Sequence, residues 1–222
     1  IKFNALRMEE DSLEQLLINR KTLYNFFYSG NVSEKIGKIN GNEKQQLYNF
    51  ALLAFLDSMG YSKRVKKATH EELFYKVLER YVWTVFEFLT NPYYNKSDLG
   101  GLKVLEDSQA KDIKLPENSV DAVITSPPYS FAIDYIKNDK AQLEYLGYDV
   151  DLLRDQMIGL NGKTINEKLE NYFVDMEKMC HEVYRVLKPR KYFVMIIGSN
   201  TNQTKGVRLE PKIIKDCLSI GF

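Results

Sequence analysis

The sequence predicts an α/β chain in which a mostly helical first half precedes a short run of parallel-sheet structure. Three observations predict it. Up to about Thr90 apolar residues recur at three and four positions, as in Leu13, Leu16, Leu17 and in Leu73, Val77, Leu78, Tyr81, Val82, Val85, which is helix spacing. After Asn91 come short runs rich in β-formers, VDAVIT over Val120–Thr125 and YFVMII over Tyr192–Ile197, each bounded by turn residues. Between them lies a helical pattern from about Asn166 to Leu187, with another from about Pro211. Short apolar strands alternating with helices point to parallel strands, buried on both faces and joined by right-handed crossovers.

In chain order, Ser12 with Gln15 and Thr69 with Glu72 have capping-box spacing and mark two helix starts. Gly30, Gly41 and Gly60 read as breaks, giving three or four helices, and the aromatic-rich stretch Phe74–Phe88 reads as packing, as does His181. The stretch NPYYNKSDLGG from Asn91 supplies a helix stop and the best linker, dividing the chain into a helical segment over 1–95 and an α/β segment over 96–222. Leu102–Leu105 is the first expected strand of the second segment. Lys137–Lys168 is long for a strand-to-helix connection, and connections of that length are usually functional or mobile.

Composition narrows the partners. With 222 residues, a 44% hydrophobic share and a net charge of +1, the chain has the profile of a soluble globular protein of one large or two small domains. Its longest apolar run falls far short of the roughly 20 residues that span a bilayer, which argues against a membrane protein. A dedicated nucleic-acid binder is often strongly basic, so phosphate contacts here depend on local patches. The best is KRVKK, with Lys63, Arg64, Lys66 and Lys67, which reads equally as a solvated helix face. Cys180, Cys217, His70 and His181 have no close ligand spacing, so no metal site or disulfide framework is expected and both thiols are read as reduced and cytoplasmic. The chain opens Ile-Lys-Phe without an initiator methionine, as a piece of something longer would.

The most informative stretch is TSPPY, Thr125–Tyr129, because it ends a strand on two prolines. In an open parallel sheet the ligand crevice lies beyond the carboxyl ends of the strands, where these residues are delivered. Proline fixes its own φ, restricts the residue before it and has no N–H. The pair therefore forms a stiff segment whose carbonyls face outward as acceptors without nearby donors. Ser126 adds an oxygen and Tyr129 a flat face. That combination suits a planar heterocycle with an exocyclic amine: acceptors for both N–H groups favour a pyramidal nitrogen whose lone pair attacks an electrophilic methyl. Stacking on Tyr129 contributes roughly 1–3 kcal/mol, and alignment of the reactants about 7–11 kcal/mol of the barrier.

TSPPY resembles the fourth motif of the amino-methyltransferases, S-adenosylmethionine-dependent enzymes that methylate exocyclic amines of DNA bases. The run KVLEDSQAKDIKLPENSVDAVITSPPY is similar to that family's strand ending in an acidic residue, Leu-Pro link and motif strand. MCHEVYRVLKPRKYFVMIIGSN is similar to the helix, Leu-Lys-Pro turn and strand that follow. The resemblance covers roughly Leu102–Phe222 and implies part of a Rossmann-like class I methyltransferase sheet preceded by the helical segment. By it, Ser126, Pro127, Pro128 and Tyr129 are catalytic, while Asp107, Ser108, Gly198, Ser199 and Asn200 hold S-adenosylmethionine. The alternatives are a solvated loop acid for Asp107 and a plain turn for Gly198–Asn200. It implies DNA as partner, with a flipped base read in a pocket, and Asp134 and Tyr135, with the KRVKK cations, as further nucleic-acid contacts. Ser in the first motif position goes with cytosine-N4 methylation, as in restriction-modification enzymes, against adenine-N6 methylation for Asp or Asn.

The sequence departs from the family pattern in two places. No G-x-G occurs, and Gly100-Gly101 precedes an expected strand rather than following one. The glycine-rich cofactor loop is therefore expected elsewhere, by preference upstream of Ile1 with the helices inserted after it. A homodimer, or a partner segment that supplies the loop, stays open, as does a non-catalytic nucleic-acid-binding subunit with a decayed methyltransferase half. The second departure is Lys188-Pro189-Arg190, where the family usually has glycine after the proline; glycine gives a positive φ at little cost.

Overall fold

The computed structural model describes residues 8–30, 43–62, 65–95, 100–101, 103–105, 108–130, 133–198 and 204–222. The chain packs as two compact units, one of residues 1–104 with 138–149 and one of 105–137 with 150–222. The long connection after Lys137 is thus shared between them, and it carries the end of one short helix and two more.

The first unit is helical: α1 (Glu10–Ile18), α2 (Arg20–Tyr28), α3 (Glu43–Ser62), α4 (His70–Leu89) and α6 (Lys140–Tyr145). Leu13, Phe27, Phe55, Phe74, Leu78 and Val82 are at most 1% exposed and form its core. Thr69 starts α4 through the expected capping box: its hydroxyl accepts the Glu72 N–H while the Glu72 carboxylate accepts the Thr69 N–H. Ser12 does not cap. The N-cap of α1 is Glu9, and Ser12 lies inside the first turn. Gly60 is no break either, since α3 runs through it to Ser62, held by flanking Phe55, Leu56 and Met59 against the core. Gly41 lies outside the described residues. On α4 the aromatic stretch is only half packing, because Trp83 and Phe88 are more than half exposed. The helix stops at Leu89, and Asn91 then accepts the N–H groups of Tyr93 and Tyr94 in a turn.

The second unit pairs β1 (Val120–Thr125) with β2 (Leu187–Met195) in parallel, with α5 (Tyr135–Asn138) shared at its boundary, α7 (Val150–Gln156) and α8 (Ile165–Val186) between the strands, and α9 (Glu210–Ile220) after them. Both long helices lie where the periodicity put them. The expected strand at Leu102–Leu105 does not form among its described residues, 103–105. The strands are not buried on both faces. Val123, Phe193, Met195 and Ile197 pack on a core of Tyr172, Met176, Cys180, Leu209 and Ile213, whereas Ile124, Tyr192, Val194 and Ile196 face solvent. Apolar runs looked two-sided because both sides are apolar, but α8 and α9 cover only one. His181 also differs from expectation, being exposed on α8.

β2 begins five residues before the apolar run, and its start is irregular. Val120 pairs with Leu187, yet Ala122 pairs with Tyr192, so Lys188–Lys191 bulge out opposite Asp121. The Asp121 carboxylate takes Lys188 at 2.8 Å and Lys191 at 3.4 Å. Arg190 turns this bulge with a φ of 63°, the backbone conformation that glycine supplies freely. Upstream of β1, Glu182 of α8 accepts the Ile113 N–H, while Arg185 donates to the Ile113 and Leu115 carbonyls and pairs with Glu182 at 2.7 Å. This ties the Leu-Pro link to the end of α8.

Two outcomes follow from these contacts. Arg190→Gly relieves the left-handed backbone at an exposed position and raises the urea midpoint, by about 1 kcal/mol in stability. The Arg185 guanidinium holds the Glu182 carboxyl down at about 2 against an ordinary 4.5. Its stabilisation is therefore full above pH 4.5 and is lost as pH falls towards 2; Glu182→Gln flattens that limb of the unfolding profile.

Candidate functional site

Parallel pairing puts the carboxyl ends of β1 and β2 side by side. The Ile196 N–H donates to the Thr125 carbonyl at 2.9 Å, so the chain leaves both strands at one edge, into Ser126–Tyr129 from β1 and Ile197-Gly198 from β2. There the prolines end the ladder, as expected of residues without an N–H donor. Pro127 is buried, Pro128 and Tyr129 are half-buried and Ser126 is exposed.

The Ser126 and Tyr129 hydroxyls lie 3.2 Å apart. The Tyr129 ring lies against Gly198, where an added Cβ would sit 3.4 Å from the ring edge. Gly198 and the TSPPY tyrosine are thus neighbours although 69 positions separate their numbers in the sequence. Among the described residues no main-chain donor occupies the Ser126 hydroxyl or the Pro127 carbonyl.

Behind the motif the packing is tight. Tyr172 of α8, fully buried, donates its hydroxyl to the Pro128 carbonyl at 2.9 Å. Burial pushes its phenol up to about 12, which keeps the donor proton in place. Ser130 follows with a φ of 58°, also buried, and its Oγ has no hydrogen-bond partner among the described residues. Its carbonyl rests on Gly159, which has a φ of 90°; a Cβ there would lie 2.6 Å from the Ser130 oxygen and 3.3 Å from the Tyr172 ring. Sequence reasoning missed these three. A tyrosine in a helical stripe looks like ordinary packing, and Gly159 sits in a connection of weak periodicity; its only signal was a glycine beside apolar Ile158 and Leu160.

The remaining sequence-based assignments scatter. Asp134 is not a free contact: Arg154 grips its carboxylate through two bonds, at 2.7 and 3.2 Å, and the Lys137 N–H also donates to it. The Arg154 guanidinium holds the Asp134 carboxyl below the usual range. Tyr135, next to it, opens α5 with its side chain partly exposed. Ser108 accepts the Lys114 N–H within the link that precedes β1, rather than meeting the motif. Lys66 and Lys67 are exposed in the turn before Thr69, in the first unit, and not on a helix. Asp107, Ser199, Asn200, Lys63 and Arg64 lie outside the described residues.

A two-proline strand end, an adjacent aromatic ring and a second strand end lie together at this edge. Residues 120–219 match the DNA methylase family model. The match begins at β1 and ends inside α9, so it contains both strands, the motif and the Tyr172 helix, and it supports an N4/N6 DNA methyltransferase family for this segment. No curated protein and no solved structure gives a match.

Gly159 provides a direct check on the packing behind the motif. Gly159→Ala places a methyl against main chain at a positive φ, and the expected loss is about 2 kcal/mol or more in chemical denaturation.

Proposed function

We propose that this chain carries the amine-accepting half of a DNA methyltransferase that transfers a methyl group from S-adenosylmethionine to the exocyclic N4 amine of cytosine. The observation that carries the reading is the edge where Ser126, Pro127 and Tyr129 meet Gly198, with acceptor oxygens unoccupied by main chain. In this reading the Ser126 hydroxyl and the Pro127 carbonyl accept the two amine hydrogens. Tyr129 stacks on the base, extruded because its amine is otherwise inside the duplex. The Tyr129 hydroxyl, at hydrogen-bond distance, orients that of Ser126.

S-adenosylmethionine, when bound, supplies the electrophilic methyl. Asp107 is assigned to its adenine end and the chain after β2, with Gly198, Ser199 and Asn200, to its amino-acid side. Gly198 suits that assignment, because a backbone without a Cβ runs beside the Tyr129 ring and leaves cofactor and base adjacent. Cytosine is preferred over adenine on the resemblance alone, in which Ser in the first motif position, here Ser126, goes with cytosine-N4 methylation and Asp or Asn with adenine-N6. The reading includes DNA as partner and a soluble, cytoplasmic setting; with a net charge of +1, phosphate contacts depend on local patches such as KRVKK.

The test is to incubate the intact protein with S-adenosylmethionine and unmodified DNA, digest the product and identify the nucleosides. N4-methylcytosine is expected. N6-methyladenine alone overturns the cytosine assignment, and no methylation together with no calorimetric binding of cofactor points to the decayed form. In the active protein, Tyr129→Ala lowers methyl transfer roughly 10- to 100-fold, the equivalent of about 1–3 kcal/mol of lost stacking. Its thermal unfolding stays close to wild type because the ring is only half-buried.

A further inference from the structure

We propose that Tyr172 is a positioning residue for methyl transfer: by holding the Pro128 carbonyl from behind, it keeps the Pro127 carbonyl turned towards the base. This rests on the methyltransferase reading above. The argument starts from how little freedom the motif has. Both proline φ angles are locked, so carbonyl directions between Thr125 and Ser130 are set mainly by the remaining ψ angles. The first carbonyl of the stretch is fixed from one side, because the Thr125 oxygen accepts the Ile196 N–H at 2.9 Å. The Pro128 oxygen is fixed from the other side by the Tyr172 hydroxyl at 2.9 Å. Pro127 lies between these two anchors.

Tyr172 is itself closely packed. Its ring is fully buried among Ile158, Met176 and Leu209, and Gly159 closes the gap between it and the Ser130 carbonyl. Ser130 carries the chain away in a left-handed conformation at φ 58°, which only a braced segment sustains. The helix therefore acts on the reacting amine at one remove. It does not touch the base; it fixes the direction of the acceptor that does. Placement errors of about 1 Å in such an acceptor cost on the order of 100-fold in rate, so removal of one buried hydroxyl is expected to appear in turnover rather than in binding.

The experiment uses the intact protein and steady-state methylation of a duplex substrate. Tyr172→Phe is expected to lower kcat at least 10-fold, with KM for both S-adenosylmethionine and DNA within about twofold of wild type. An unchanged kcat in an active background overturns the proposal. A wild-type protein that transfers no methyl group overturns the reading beneath it instead, which separates the two failures. If Tyr172→Phe does not fold, 3,5-difluorotyrosine at position 172 decides, since it keeps the shape of the ring but makes the phenol more acidic. A kcat that falls with rising pH in this variant, and not in wild type, supports a donated hydrogen bond; parallel pH profiles overturn it.

Discussion

Parallel pairing of β1 with β2 is the constraint on which the candidate site depends. Antiparallel strands would send the two chain exits to opposite ends of the ribbon, about 20 Å apart for strands of this length. Parallel strands bring Ser126 and Gly198 to one edge instead. The pairing needs a crossover, and α8 supplies it; the same helix then presents Tyr172 to the back of the proline loop. One helix thus closes the topology, fills the core and reaches the motif. The bulge at Lys188–Lys191 belongs to the same arrangement, since it absorbs the extra residues at the start of β2 and lets the far ends of the two strands finish level.

Much of this was legible in the sequence for identifiable reasons. A β-branched run stopped by two prolines can hardly continue as a central strand, so the position of TSPPY followed from what proline forbids. The 3.6-residue periods of α8 and α9, and the reciprocal Thr69–Glu72 cap, were strong because each rests on local geometry. The reading failed where local pattern and tertiary context diverged. Ser12 has capping spacing, but the helix begins before it. Arg190 stands where the resemblance leads one to expect glycine, yet it keeps the positive φ that glycine would have supplied. Tyr172 was invisible because a helical tyrosine that packs and one that also donates to a distant carbonyl have the same periodicity.

The candidate site was legible in part for the same reason. Residues of the motif itself are contiguous, so their place at the end of β1 reads directly. The pairing of Tyr129 with Gly198, and of Ser130 with Gly159, joins distant parts of the chain and exists only once the strands and α8 are assembled. Asp134 shows the converse: a carboxylate close to the motif in sequence is committed to Arg154 in space. Nearness along the chain placed it at the site, while charge pairing gave it a structural task.

The solvent-facing side of the ribbon has a practical meaning. Ile124, Tyr192, Val194 and Ile196 form an oily, exposed strip on the two-stranded sheet. Water wets such a strip poorly, and two copies meeting there would shield each other. Handling this polypeptide at high concentration is therefore a contest between folding and clumping, decided by how quickly that strip finds a cover.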